Sequence, residues 1–383
     1  MILIQKGNVY TMTCDEPMVA DVLIDGGWIV KVEEDIVPHE GWTVIDASGK
    51  NVYPGFIDAH CHLGMWEEAI GFEGSDGNEA VDPVTPQLRA IDGFNPVDRA
   101  VEEAMQAGVT TVATGPGSAN VIGGQFAVLK THGKRVDNMI VKSPLAMKVA
   151  FGENPKRVYN GKGKSPITRM ATAAVLRQAL NDARNYLHKK EKDPETPIDF
   201  KLEPLTWVLK KEIPLKAHAH RADDIFTALR IAKEYDVNIT LEHCTEGHLI
   251  TDELAKENVK AIIGPSFGSR SKFELTNKTF DTPKAMYEAG IPFAIMTDHP
   301  VIPCQYLPLC AALSHKAGLP AIEAVKAITI RAAQILEVDD RLGSLEPGKD
   351  ADIAIYEGDP MEDINARCIM TLINGQVVHN KQA

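Results

Sequence analysis

The sequence has little that would suit a secreted, membrane-spanning or nucleic-acid-binding protein. Its six cysteines never form a Cys-x-x-Cys pair, and the first residues lack a charged leader with a cleavage site, so we expect reduced thiols and a cytoplasmic location. No apolar run reaches about 18 residues, which argues against a membrane span. Acidic residues outnumber basic ones by 53 to 40, and the net charge of -13 argues against a nucleic-acid partner, because phosphate contacts need clustered Lys and Arg.

The chain is long enough, and with 44% hydrophobic residues apolar enough, to bury a large core. Both ends are rich in short β-branched runs, such as Trp28-Ile29-Val30-Lys31-Val32 near the start and Ile369-Met370-Thr371-Leu372-Ile373 near the end. We therefore predict a composite β-sandwich domain from residues 1–52 and 345–383. Residues 53–344 would form a separate barrel domain.

The middle of the chain alternates helix and strand patterns, which predicts an α/β fold with a parallel sheet and helical crossovers. Helices are predicted over residues 96–108, 222–235 and 320–336, and buried strands occur between such segments. The fold class predicted is a (β/α)8 TIM barrel. Residues 125–142 instead show a hairpin pattern that turns near Gly133, and this leaves the third barrel strand unassigned.

The pair His60 and His62 ends the first predicted barrel strand, in the run Pro54-Gly-Phe-Ile-Asp-Ala-His-Cys-His62. In an extended strand, residues two apart point to the same side, about 6–7 Å apart. Catalytic groups of parallel barrels lie where strands end. Two neutral imidazoles placed in this way can bind one Zn-like ion.

Other polar residues end the later strands. His218 ends one strand and is followed by His220, His243 ends the next, and Asp298 follows the last within Met296-Thr-Asp-His-Pro300. Histidine accounts for only 12 of the 383 residues. Its concentration at successive strand ends therefore favours a divalent-metal site over separate structural histidines.

Motifs in the same order along the chain resemble the amidohydrolase superfamily, and more closely its imidazolonepropionase-related branch. They are the run ending in His62, Ala107-Gly-Val-Thr-Thr-Val112, His218, Glu242-His243, Thr297-Asp298 and Gly343-Ser-Leu-Glu-Pro-Gly-Lys-Asp-Ala-Asp352. The resemblance spans nearly the whole chain. It implies a (β/α)8 barrel flanked by a β-sandwich made from both termini, in agreement with the organisation above, and it is compatible with a homo-oligomer.

The resemblance also implies roles for the strand-end residues. His60 and His62 would bind the more buried metal, and Asp298 would bind the same ion and act as general base and then general acid. His218 and His243 would bind a second metal, or would hold the substrate if only one ion is present. The ions would be Zn²⁺ or another divalent metal, with one or two per chain.

Lys148 interrupts the apolar run Ser143-Pro-Leu-Ala-Met-Lys-Val-Ala-Phe-Gly152, and an unpaired buried ammonium is costly. Binuclear relatives carry a carbamylated lysine on the fourth strand, so the resemblance implies that Lys148 bridges the two metals. The plainer alternative is a lysine at a sheet edge or paired with an acidic residue. Glu153, at the end of the same strand, could instead be the ligand of a one-metal site, although contact with substrate is the role we assign to it.

Three further residues are candidates for binding substrate, because they follow the barrel strands: His220, Arg221 and His248. Arg221 could clamp a carboxylate, and a solvated arginine is the plainer alternative. The function expected is hydrolysis of an amide or cyclic amide C–N bond in a small molecule or dipeptide. The alternatives are a single-metal deaminase acting on a heterocycle and a non-catalytic barrel used as a binding scaffold.

Overall fold

The computed structural model describes residues 1–381, which form two sheets of eight strands each. The first sheet, here called the end sheet, comes from the two ends of the chain, and the second is a nearly closed barrel. The strands of the end sheet are β1 (Ile2–Val9), β2 (Met18–Asp25), β3 (Trp28–Glu33), β4 (Thr43–Asp46), β5 (Asn51–Pro54), β14 (Ile353–Glu357), β15 (Arg367–Ile373) and β16 (Gln376–Asn380).

The barrel strands follow one another around the second sheet in chain order. They are β6 (Phe56–Cys61), β7 (Val109–Thr114), β8 (Ile122–Lys130), β9 (Ile140–Ala150), β10 (Leu215–Ala219), β11 (Ile239–His243), β12 (Lys260–Ile263) and β13 (Phe293–Ile295). The helices are α1 (Ala90–Gly93), α2 (Arg99–Gln106), α3 (Glu153–Asn160), α4 (Arg169–Lys192), α5 (Glu203–Leu209), α6 (Ala222–Tyr235), α7 (Thr251–Leu254), α8 (Asp281–Glu288), α9 (Leu307–Lys316), α10 (Ala321–Ala327) and α11 (Ile330–Leu336). The predicted TIM-barrel class is confirmed.

The third barrel strand is antiparallel to both of its neighbours. β8 pairs antiparallel with both β7 and β9, and the β8–β9 hairpin confirms the hairpin predicted around Gly133. The start of β8 therefore lies beside the carboxyl end of β9, where Ile122 pairs with Val149. As a result, residues 115–121 before β8 reach the edge at which the other barrel strands end.

The end sheet joins the two termini through β5 and β14, which pair antiparallel with Val52 opposite Ile355. Residues from both ends of the chain share one apolar cluster, which includes Ile4, Val22 and Leu372. Strand β5 extends to Pro54, so it straddles the predicted boundary at residue 52. The division into a sandwich domain and a barrel domain stays a prediction.

The helix predicted over residues 320–336 is interrupted. It consists of α10 and α11 with a break at Ile328 and Thr329, and the Thr329 hydroxyl donates to the carbonyl of Val325 at 2.7 Å. Such a bond from a threonine side chain to the preceding turn competes with regular helix geometry. Over residues 1–381, none of the helices has the length and hydrophobicity needed to cross a bilayer.

Candidate metal centre and active site

The strand-end side chains singled out in the sequence converge inside the barrel mouth. His60 lies near the end of β6, Lys148 in β9, and His243 at the end of β11, and all three are at most 2% exposed. His218 and Asp298 complete the group, in β10 and just after β13. Because parallel strands present their carboxyl ends at one edge, residues far apart in sequence meet here.

Asp298 lies between the two histidines of the first strand. Its Oδ1 is 3.2 Å from Nε2 of His62 and 3.6 Å from Nε2 of His60. The pKa of Asp298 is below its usual value: burial alone would raise it, but His243, His62 and Lys148 together outweigh that effect. The side chain is therefore an anion beside two imidazole nitrogens.

His243 belongs to two groups of converging donor atoms. In one it joins His60 and Asp298, and in the other it joins His218 and His220, with the donor atoms of each group within 4.8 Å of one another. The structure thus brings His220, which the sequence assigned to substrate binding, into the cluster of histidine side chains.

Hydrogen bonds at Nδ1 orient these imidazoles. Each Nδ1 atom lies 2.7–2.9 Å from an oxygen of a neighbouring residue. The pairs are His60 with Glu242 Oε2, His62 with the Gly115 carbonyl, His218 with Ser118 Oγ, His220 with Thr245 Oγ1 and His243 with the Gly264 carbonyl. Outer partners of this kind fix the ring and its tautomer in metal sites. Gly115 directly follows β7 and lies beside His62 because Thr114 pairs with Cys61, whereas Ser118 lies in the segment between β7 and the reversed β8.

Burial lowers the pKa values of His60, His218, His220 and His243 well below the usual histidine value. These side chains are therefore neutral at pH 7, which is the form that binds metals.

The donor set fits a divalent metal. Among residues 1–381, Nε2 of His243 is a buried atom that lacks a hydrogen-bond partner. An unpaired buried polar atom is costly, and a metal ligand bond would satisfy it. Imidazole nitrogens combined with a carboxylate suit Zn-like ions.

Lys148 and Lys216 are buried side by side, because they pair directly across β9 and β10. Lys216 Nζ lies 2.9 Å from Glu242 Oε2 and donates to the carbonyl of Ala59 at 3.1 Å. Lys148 Nζ lies 3.0 Å from Nε2 of His60 instead. Burial lowers the pKa of Lys148 to about 7, so a large fraction of this amine is neutral near physiological pH.

The backbone is unusual at two of these positions. His243 and Asp298 have φ angles of 69° and 56°, in the left-handed region that residues other than glycine seldom adopt. Strained backbone of this kind is concentrated at functional sites, where the surrounding structure holds it in place.

The other predicted substrate residues make contacts outside the two donor groups. Arg221 forms two hydrogen bonds with Asp223, and His248 Nδ1 lies 3.0 Å from the Thr282 hydroxyl. Glu153 accepts a hydrogen bond from the backbone N–H of Glu274, and its other oxygen is 3.5 Å from Arg157. Their roles in binding substrate, and that of Glu153 as a metal ligand, stay predictions.

Several buried charged residues beside the histidines received no role from the sequence: Asp58, Lys216, Glu242 and Glu274. Asp58 and Glu242 stand inside the motifs that end in His62 and His243, so their positions next to the histidines were already visible in the sequence. Burial raises the pKa of Asp58 to about 7, although its carboxylate accepts from the Thr297 hydroxyl. Glu274 lies in an irregular segment and carries no comparable sequence signal.

Comparison with known proteins agrees with this architecture. Residues 51–378 match the sequence model described as the amidohydrolase family. The crystal structure of an amidohydrolase from Thermotoga maritima MSB8 superposes with a TM-score of 0.96 at 43% identity and covers 99% of this chain and 100% of that one.

Two curated relatives match along most of the chain. The amidohydrolase tasK of Hapsidospora irregularis is 29% identical and covers 93% of this chain, which spans only 39% of that relative's length. A 5-methylthioadenosine/S-adenosylhomocysteine deaminase of Thermoanaerobacter pseudethanolicus is 23% identical, with 94% of this chain and 85% of the relative covered.

Proposed function

Because the chain belongs to the amidohydrolase family, we propose that it is a metal-dependent hydrolase that cleaves an amide or cyclic amide C–N bond. The single observation that carries the proposal is the position of Asp298. An anionic carboxylate within 3.6 Å of two imidazoles can both hold an ion and exchange a proton beside it.

We assign His60, His62 and Asp298 to an inner ion, and His218 and His243 to an outer one. Lys148 would join the two ions as a carbamate, formed when its neutral amine adds carbon dioxide and loses a proton. The pKa of about 7 supports this step, because only the neutral amine can react. When bound, such ions lower the pKa of a coordinated water toward neutrality and polarise a substrate carbonyl.

The chain's own residues would transfer the proton and orient the imidazoles. Asp298 accepts the proton of the attacking water and delivers it to the leaving nitrogen, acting as base and then as acid. Glu242 holds His60 through Nδ1, and the carbonyl of Gly115 holds His62 in the same way. These contacts keep both Nε2 atoms directed at Asp298.

A second candidate function is deamination at a heterocycle with a single ion. Similarity to a deaminase over 94% of the chain supports it. Lys148 favours hydrolysis instead, because a buried amine beside His60 suits a bridge between two ions.

The proposal is tested by screening metal-loaded protein against N-acyl amino acids, dipeptides, lactams, imidazolones and amino-substituted heterocycles. Ammonia release is measured separately from amide cleavage. We expect cleavage of an amide or lactam, with two Zn-like ions per chain. Ammonia release from a heterocycle by protein with one ion and an unmodified Lys148 would favour the deaminase instead.

A further inference from the structure

Glu274 approaches the histidine cluster from outside the barrel strands. It lies in a single turn of 3-10 helix, Phe273–Leu275, within the segment that follows β12, and it is 1% exposed. Its Oε2 accepts the backbone N–H of Glu153 at 2.9 Å. Gly152 has no side chain at this point, and a Cβ there would collide with the same oxygen. The fold therefore leaves space for this carboxylate and anchors one of its oxygens.

The other oxygen is directed at the histidines. Oε1 lies 3.6 Å from Nε2 of His220 and 3.8 Å from Nε2 of His218. Within residues 1–381 its charge partner is Nζ of Lys272, in an ion pair of 2.5 Å. Nε2 of His243, a buried acceptor without a hydrogen bond among the same residues, belongs to the same cluster.

We infer that Glu274 is a ligand of the outer metal ion, together with His218, His220 and His243. The inference rests on the proposed metal-dependent function. It adds to the proposed ligands a residue that lies outside the barrel strands. With the proposed Lys148 carbamate the outer ion would have five ligands, and bonds of about 2.0–2.2 Å to a five-coordinate zinc ion place neighbouring ligand atoms roughly 2.8–3.8 Å apart. The separations of 3.6 and 3.8 Å lie within that range.

Charge supports the same assignment. The imidazoles of His218, His220 and His243 bring no negative charge, and the proposed Lys148 carbamate would share its single charge between two divalent ions. The remaining uncompensated buried charge would be strongly unfavourable. The carboxylate of Glu274 supplies compensation from inside the protein. Lys272, which pairs with Glu274 and also donates to the side chain of Asn154, would then have to leave the carboxylate oxygen that binds the ion.

The consequence is that the outer ion ties the segment after β12 to the barrel. Residues 267–271 of this segment are exposed, whereas Glu274 is buried. Metal binding should therefore reduce the mobility of residues 272–276, an effect that can be measured without any assay of catalysis.

The test is Glu274→Gln, with metal content measured by elemental analysis and affinity by competition with a chelator. We expect the outer ion to bind at least about tenfold more weakly, with the inner ion retained, and the visible spectrum of the Co²⁺-loaded protein to change. Glu246→Gln is the matched control. One oxygen of its carboxylate accepts from Asn277 of the same segment at 2.9 Å and the other accepts the backbone N–H of Ala222 at 2.8 Å, so both ions should remain bound.

Hydrogen exchange of the unaltered protein gives a second measurement that does not depend on a variant folding. Adding Zn²⁺ should slow exchange at residues 272–276. Unchanged affinity in Glu274→Gln, unchanged exchange, or an unaltered protein that binds a single ion would each overturn the inference. Protein that binds two ions through Glu274 but hydrolyses none of the substrates would contradict the proposed function and leave this inference intact.

Discussion

At the scale of single residues, two neighbouring buried lysines differ in the side chain that each one contacts. Lys148 and Lys216 face each other across neighbouring strands, and each lies 5.4 Å from the centre of the Phe126 ring. Glu242 neutralises Lys216, whereas Lys148 faces an imidazole. Burial lowers the pKa of Lys216, but the Glu242 carboxylate opposes that effect and favours the cationic form. Lys148 lacks such a direct carboxylate contact and is the amine that we propose is modified.

Substituting Lys148→Met should reduce the bound metal from two ions to at most one and abolish most hydrolysis, because the bridging carbamate cannot form. Elemental analysis and the rate on the best substrate of the screen measure both effects. Lys142→Met is the matched control, since Lys142 lies on the same strand but pairs with Glu337 at the surface. Two ions in the Lys148→Met protein would exclude a bridging role.

The variant Asp298→Asn should keep its fold but lose about 10²–10⁴-fold in kcat, because an amide cannot accept the proton of water. Circular dichroism checks the fold, and kcat and KM are measured separately. A fall in kcat with little change in KM supports a role in proton transfer. A rate close to that of the unaltered protein would show that another group is the base.

At the scale of elements, the reversed strand β8 shapes the site as much as the parallel strands do. Its hairpin was visible in the sequence, but its place in the barrel was not, because pairing across a sheet depends on contacts distant in sequence. The segment between β7 and the reversed β8 brings Ser118 to His218, whereas Gly115 reaches His62 directly from the end of β7. Glu274 was missed for a related reason, since only the folded path of an irregular segment brings it to the histidines.

The hairpin also connects the barrel to the end sheet through a buried ion cluster. Lys130, at the end of β8, bonds Asp350 at 2.9 Å and also bonds Asp352, and all three side chains are at most 5% exposed. Arg341 adds a second cation on Asp350. The two sheets are therefore joined by charges that water does not screen.

Lys130→Met should lower the free energy of unfolding by about 3–5 kcal/mol, because it leaves two buried carboxylates without their shared cation. Urea or thermal unfolding measures the change. Arg135→Ala is the control, since Arg135 lies in the same hairpin but is exposed and pairs with the exposed Asp137. Its effect should stay within about 0.5 kcal/mol. Equal stability of the two variants would mean that the ion cluster contributes little.

At the scale of the whole molecule, the barrel class and most strand-end groups could be predicted because both depend on local patterns repeated along the chain. Helix α6 matches its predicted range of 222–235, and His60, His218 and His243 lie at or within two residues of strand ends, as expected. The close approach of His220 to His218 and His243 could not be predicted in this way, and its role in binding substrate stays a prediction. Its place depends on the Thr245 hydroxyl and on how closely β10 and β11 approach.

Metal binding should stabilise the entire fold, because the proposed ligands come from β6, β9, β10, β11 and the segment after β13. A ligand that binds only the folded state adds RT ln(1 + [L]/Kd), or about 2.7 kcal/mol at a concentration 100 times Kd. We therefore expect chelator-treated protein to unfold at a lower temperature, and its midpoint to rise steadily as Zn²⁺ is added back.

The control for this experiment is a His60→Ala, His218→Ala double variant, which lacks one ligand of each proposed ion. Its unfolding temperature should respond little to added Zn²⁺, whereas a surface variant such as Arg135→Ala should respond like the unaltered protein. If the double variant is stabilised as much as the unaltered protein, the stabilising ion binds elsewhere on the chain. In that case the convergence of buried imidazoles at the barrel mouth would have to be explained by packing and hydrogen bonding alone.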